Sequence, residues 1–252
     1  MSGSGNVAIV SGAAQGLGRA FAERLVEEGY QVLAFDTQAE VENLSGATGV
    51  VADVSRRDDV ERVVAQAVEM GSIEVLVNNA GAWKKTPVDS SWEQALADWD
   101  EIMDTNLKGV LMLSRAVVPH MKVAGGHILN ISTYYVLPAK SDGTNPPDTD
   151  LYGASKWSLN GFTDAWAKYL EADNIKVNGL CMGAVDTPML RGLFPDGQLP
   201  VGLADQVMQA SEIAQLMMDV MASGRTGENI GAWVGEPVRL NDQPPLHKRI
   251  TG

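Results

Sequence analysis

Cysteine and histidine are scarce in this 252-residue chain, which has one Cys, Cys181, and three His. That is too few for an internal disulfide or a zinc-type Cys/His cluster, and a lone thiol suits a reducing cytosol. Positive charge is also short. Nineteen Lys and Arg face 32 Asp and Glu, a formal net charge of −13, and a field of that sign repels nucleic-acid backbones and anionic lipid surfaces. Neither nucleic acid nor a membrane is an expected partner. Apolar residues make up 45% of the chain, yet they never run unbroken for the roughly eighteen positions that span a bilayer. The opening Met1-Ser-Gly-Ser-Gly-Asn has no basic segment followed by an apolar one. The expectation is a soluble, unexported, cytoplasmic protein with no metal.

A chain of this length buries roughly 70–75% of its unfolded surface without staples. Apolar β-rich runs alternate with helix-period segments from the start, the pattern of a parallel sheet with crossover helices on both faces. Strands are predicted over 7–10, 31–35, 49–52, 73–77, 127–131, 176–180 and 230–234. Leu17, Phe21 and Leu25 mark a helix closed by Gly29, and Val60, Val63, Val64, Ala67 and Val68 mark another. Further helices are expected over 91–104, 107–122, 152–171 and most of 203–222. The reading is an α/β, Rossmann-like, doubly wound, seven-stranded parallel sheet in a single domain, 1–252. Two long loops, 140–150 and 187–202, stand out as functional candidates.

Ser11-Gly12-Ala-Ala-Gln15-Gly16-Leu17-Gly18 falls between the first strand and the first helix. There a turn can present backbone N–H groups, backed by the positive end of the helix dipole, to the pyrophosphate of a dinucleotide. Its spacing, GxxxGxG, differs from the GxGxxG of other dinucleotide folds. Asp36 closes the second strand, where a carboxylate can bind both ribose hydroxyls of adenosine and repel a 2′-phosphate; an Asp here can also simply cap a loop. With Gln15 rather than a cation before Gly16, NAD is favoured over NADP. Asp53-Val54, after the third strand, can hold adenine.

Tyr152-Gly-Ala-Ser-Lys156 opens a predicted helix, and i, i+4 spacing puts both side chains on one face. Lowering a tyrosine pKa by about three units takes roughly 4 kcal/mol. An ammonium about 4 Å away supplies energy of that order at an effective dielectric near 20.

These motifs, with Asn78-Asn79-Ala80-Gly81 and the Asn106 of Asn-Leu-Lys-Gly109, resemble those of the short-chain dehydrogenase/reductase family in order and spacing over nearly the whole chain. The resemblance implies an NAD(H)-dependent alcohol dehydrogenase or carbonyl reductase with Tyr152 as acid/base. Asn79 would stabilise the central sheet, Asn106 would hold a water in a proton relay through Lys156, and Lys156 would also bind the nicotinamide ribose. Met182-Gly-Ala-Val185-Asp-Thr187 resembles the family's PGxxxT, which sets Thr187 on the carboxamide. Gln15, Leu17, Ala80, Gly81 and Val185 complete the implied cofactor contacts, and family members commonly form homotetramers or homodimers through helices here near 97–122 and 152–171.

The sequence also departs from the family. In Asn130-Ile-Ser132-Thr133-Tyr134, ungapped alignment puts Thr133 at the substrate-polarising position, and a one-residue shift restores Ser132. Segment 140–150 reads as an insertion near the site entrance, Met182 replaces the usual proline, and the end from Gly235 is atypical. The implied pocket residues are Trp83, Tyr134, Tyr135, Met182, Met189, Leu190, Leu193 and Phe194. This mostly apolar wall suits an aromatic or alicyclic secondary alcohol and its carbonyl, while Lys84, Lys85 and Arg191 leave an anionic substrate open. Two other readings share the fold: an NAD-binding regulatory or scaffold protein whose catalysis has been altered, and an epimerase or lyase.

Overall fold

Alternate residues of the first strands point to opposite faces of a sheet, and both faces are apolar. Ala8, Val10, Val32 and Ala34 enter one core, while Val7, Ile9, Leu33 and Phe35 enter the other. Strands buried on both sides in this way belong to parallel sheets covered by helices. The computed structural model describes residues 5–137, 146–236, 238 and 240. Its strands are β1 (Gly5–Ser11), β2 (Gln31–Asp36), β3 (Ala47–Val51), β4 (Gly71–Asn78), β5 (Gly126–Thr133), β6 (Ile175–Met182) and β7 (Asn229–Ala232). They form one all-parallel sheet in the order β3-β2-β1-β4-β5-β6-β7. The order reverses between β1 and β4, and in doubly wound sheets the ligand crevice opens beyond the strand ends at such a reversal.

The helices are α1 (Gly16–Glu27), α2 (Arg57–Met70), α3 (Trp92–Met103), α4 (Val110–Met121), α5 (Asp150–Tyr169), α6 (Pro188–Arg191) and α7 (Ala210–Ala222). Phe21 and Leu25 of α1 pack with Ile213, Met217 and Val220 of α7 on one face of the sheet. Val60, Val63, Leu113, Val117 and Ala167, from α2, α4 and α5, pack on the other.

Several expected boundaries move. The helices read over 91–104 and 107–122 are one rod, because Asp104–Gly109 is a π-helical turn joining α3 to α4. Residues 203–222 are not mostly helix. A 3₁₀ turn at Ala204–Gln206 is followed by Met208, which bridges Val185 in extended form before α7 begins. The last strand ends at Ala232, and the loop over 187–202 contains α6. Within 140–150, residues 140–145 lie outside the described residues, as does most of the atypical C-terminus.

A buried polar chain ties the centre together. Asn78 Nδ2 donates to Asn130 Oδ1 (2.9 Å) and Ser114 Oγ (3.0 Å), and Asn130 Nδ2 donates to Thr163 Oγ1 (3.0 Å), linking β4, β5, α4 and α5. Asn130→Ala strands buried donors and acceptors, so it is expected to cost about 2 kcal/mol in urea unfolding. A loss below about 0.5 kcal/mol, within the range of ordinary surface substitutions, would show that the chain of bonds carries little stability.

Candidate active site

The glycine turn after β1 can only be built from glycine. Gly12 and Gly16 have φ of +66° and +56°, where side chains are strained. A Cβ on Gly18 would lie 2.0 Å from the Gly12 carbonyl oxygen and 2.5 Å from Asn79 Nδ2. Asn79 clamps the turn to β4 by donating from Nδ2 to the carbonyls of Ser11 (3.0 Å) and Gly12 (2.9 Å). Ser11 Oγ accepts from the backbone N–H of Asn79 and Ala80, both at 3.0 Å. The motif drew attention to its glycines, and this serine's role had no separate signal in the sequence. The link between β4 and β5 runs through the neighbouring Asn78.

A cleft of about 630 Å³ extends from this turn over the strand ends, bordered by Gln15, Leu17, Asp36, Asp53, Val54, Ala80, Gly81, Val185 and Thr187, and continues to Tyr152 and Lys156. Asp36 is nearly buried. Its Oδ2 accepts from Ala14 N (3.0 Å) and its Oδ1 from Gln38 N (3.1 Å). It therefore caps its loop and also braces the glycine turn, while keeping a face on the cleft. Asp53 Oδ1 holds Ser55 through N (2.8 Å) and Oγ (2.7 Å). Thr187 Oγ1 accepts from Leu190 N (3.2 Å) and so caps α6. A glycine cradle at a helix start, with a carboxylate at the end of β2, fits the pyrophosphate and ribose of a nicotinamide dinucleotide.

Tyr152 and Lys156 sit in the first turns of α5. Lys156 is buried, its Nζ donates to the Ile131 carbonyl (2.8 Å), and it lies 5.8 Å from the centre of the Tyr152 ring. Desolvation dominates both groups. It pushes Tyr152 up to about 12, with Tyr134 adding to the rise, and pushes Lys156 down to about 8. The expected depression of Tyr152 by its lysine is therefore not found. The ammonium is held towards the strand, and burial penalises both charged forms.

Asn106, fully buried in the π turn, donates from Nδ2 to the Ala82 carbonyl (2.9 Å) and to Ser155 Oγ (3.1 Å), and accepts from Ala82 N through Oδ1 (2.7 Å). Ser155 in turn donates to the Tyr152 carbonyl (2.8 Å). π turns inside helices recur at functional sites, and this one turns Asn106 inward to join the segment after β4 to α5. Thr86 reinforces that join. Its Oγ1 bonds Asp150 Oδ1 (2.5 Å) and its N–H donates to the Asp148 carbonyl (2.6 Å). Neither Thr86 nor Ser155 is marked by any local feature of the sequence.

Ser132 and Thr133 end β5 with side chains on opposite faces. Ser132 Oγ is buried beside the thiol of Cys181, its partner across β5 and β6, Thr133 pairs with Met182, and both Ser132 and Thr133 border the cleft. Burial pushes the Cys181 thiol up to about 12. Trp83, Tyr134, Tyr135, Met182, Met189, Leu190 and Leu193 line the cleft. Phe194 does not, because the chain leaves the rim after Leu193 and enters the turn at Pro195–Gly197. The Tyr134 and Tyr135 rings meet edge to face at 4.5 Å, and Tyr135 meets Tyr152 at 6.5 Å. Among the described residues no group of three or more His, Cys, Asp or Glu could hold a metal ion, and no helix is long and apolar enough to cross a membrane.

A doubly wound sheet with a glycine cradle at its reversal and a Tyr/Lys pair on the cleft floor defines an oxidoreductase that uses a nicotinamide dinucleotide. The chain belongs to the short chain dehydrogenase family, whose model matches residues 6–198. It is 33% identical over 245 residues to a 3-oxoacyl-[acyl-carrier-protein] reductase of Thermotoga maritima, covering 90% of this chain and 96% of that one. It is also 33% identical over 252 residues to a trans-4-hydroxycyclohexanecarboxylate dehydrogenase of Sinomonas cyclohexanicum, covering 93% and 94%. Among solved structures, a 3-ketoacyl-(acyl-carrier-protein) reductase from Brucella melitensis complexed with NADH superposes with TM-score 0.77 at 27% identity, over 92% of this chain and 98% of that one. The ligand-free aldohexose dehydrogenase of Thermoplasma acidophilum gives 0.80 at 26% identity, over 91% and 92%.

Proposed function

We propose that the protein is an NAD-dependent dehydrogenase interconverting a secondary alcohol that bears an aromatic or alicyclic ring with its ketone. The observation that carries this reading is the single cleft joining the glycine cradle and Asp36 to Tyr152 and Lys156. The relatives' names, a 3-oxoacyl reductase, a hydroxycyclohexanecarboxylate dehydrogenase and an aldohexose dehydrogenase, are consistent with interconversion of hydroxyl and carbonyl.

The nicotinamide ring supplies, when bound, the hydride acceptor and, oxidised, a positive charge. The chain supplies the rest. Tyr152 takes the hydroxyl proton in oxidation and returns it in reduction. Thr133 or Ser132, both of which border the cleft, orients the reacting oxygen. Lys156 holds the ribose and favours the phenolate. Both amide protons of Asn106 are used within the protein, and the relay water that serves Lys156 is assigned to Asn106 on the family resemblance. Asn79 keeps the glycine turn in register, and Thr187 meets the carboxamide once its cap on α6 is shared.

Asp36 selects NAD, because a 2′-phosphate placed against its carboxylate meets like charge. Asp36→Ala is expected to raise kcat/KM for NADP relative to NAD by about tenfold or more, since one pKa-unit equivalent of repulsion is tenfold. Formation of reduced cofactor, followed at 340 nm with each dinucleotide, checks this. Equal use of both cofactors by the unmodified protein overturns the assignment.

A further inference from the structure

We propose that the cleft selects uncharged ring-bearing substrates and rejects their carboxylate analogues, because Glu101 lines it beside Trp83 and the cations nearest that end are already paired. The inference rests on the alcohol dehydrogenase reading above and narrows its substrate class. Among the described residues the carboxylates lining the cleft are Asp36, Asp53 and Glu101; Asp36 and Asp53 are assigned to the adenosine end of the cofactor, so Glu101 is the one a substrate meets. Lys156 donates to the Ile131 carbonyl at the cleft floor and is assigned to the cofactor's ribose and Tyr152.

The three cations that left an anionic substrate open in the sequence are all held elsewhere. Lys84 Nζ lies between Asp98 (2.7 Å) and Glu101 (2.9 Å), and Asp98 is itself buried. Lys85 pairs with Asp148 at 2.9 Å. Arg191 makes a two-pronged contact with Asp186, at 2.6 and 2.8 Å, and donates a third bond to the Gly197 carbonyl at 3.2 Å. A ligand carboxylate entering beside Trp83 and Glu101 would lose hydration next to a like charge while Lys84, Lys85 and Arg191 keep their own partners, and charges buried without a partner are strongly disfavoured. An uncharged ring meets no such penalty. The edge-to-face array of Tyr134, Tyr135 and Tyr152, with Met182 and Met189 nearby, offers it the aromatic and thioether contacts that favour planar or alicyclic rings.

The test uses the protein saturated with NAD and two ligands of matched size, 4-acetylbenzamide and 4-acetylbenzoate. Binding is read by quenching of tryptophan fluorescence, because Trp83 lines the cleft. The amide is expected to bind about tenfold or more tightly than the carboxylate, and Glu101→Gln is expected to narrow that ratio by about threefold or more through removal of one nearby negative charge. Turnover of 1-phenylethanol against 4-(1-hydroxyethyl)benzoate should follow the same order. Equal binding of the two ketones, tighter binding of the carboxylate, or a ratio unmoved by Glu101→Gln overturns the charge selection alone. Failure of every ketone to bind and every alcohol to react, with NAD binding intact, overturns the alcohol reading and this proposal with it.

Discussion

Tyr152→Phe is expected to lower kcat for alcohol oxidation about 10³-fold while leaving the dissociation constant for NAD within about twofold, the signature of losing a general acid/base and little else. The ring of Tyr152 packs beside Tyr135, so Phe keeps the wall of the cleft and removes only the proton carrier. Initial rates at 340 nm beside a fluorescence titration with NAD separate the two effects, and more than about a tenth of the rate surviving would exclude Tyr152 as acid/base. The pH dependence has a definite sign. Oxidation needs the phenolate, and burial holds Tyr152 up at about 12, so oxidation should rise with pH and reduction should fall. The charge of the oxidised cofactor pulls the phenol back towards the working range, and Lys156, itself brought down to about 8 by burial, is expected to add to that pull once turned towards the cofactor. Lys156→Ala should therefore move the rising limb of the oxidation profile to higher pH. A limb that stays in place would show that Lys156 contributes by position alone.

Strand positions and the parallel, helix-covered sheet were legible because burial on both sides leaves runs such as Val7–Val10 that few other structures would use, whereas the order of the strands had no local mark. The glycine turn was legible because its position between strand and helix constrains what glycines there can do. The π turn at Asp104–Gly109 was not, since it keeps helical hydrophobic spacing on either side and differs only in one extra residue per turn. The same limit applies to polar joins between segments distant in sequence. Thr86 to Asp150 and Asn106 to Ser155 span 64 and 49 positions, and nothing local in composition marks them. The electrostatics at the Tyr/Lys pair failed in a different way. Spacing of i, i+4 gives a shared face, but burial and the Ile131 carbonyl decide where the ammonium goes and which state each group prefers. Phe194 was misplaced because an apolar residue near a rim looks the same in sequence whether the chain turns inward or away.

The glycine cradle supports the second large effect. Gly18→Ala is expected to weaken NAD binding about 100-fold or more, because the new methyl would fall 2.0 Å from the Gly12 carbonyl oxygen, a backbone atom that can yield only if the turn itself shifts. Asn79 would be displaced with it, since its Nδ2 would lie 2.5 Å from that methyl and is the clamp between the turn and β4. Gly161→Ala serves as the matched substitution. Its Cβ meets nothing within 4 Å in the interior of α5, so it should leave NAD affinity unchanged and stabilise the chain by up to about 1 kcal/mol, the usual helix preference for Ala over Gly. Calorimetric titration with NAD and urea unfolding of both variants distinguish a lost cradle from a lost fold. If Gly18→Ala unfolds at the same urea concentration as the unmodified protein and binds NAD equally well, the turn is not the pyrophosphate seat. Lowered stability with normal affinity in the folded fraction would confine Gly18 to packing α1 against the sheet. A large loss of affinity in a folded variant is the outcome that the 2.0 Å approach requires, because the same backbone groups that would have to move are those aimed at the anion.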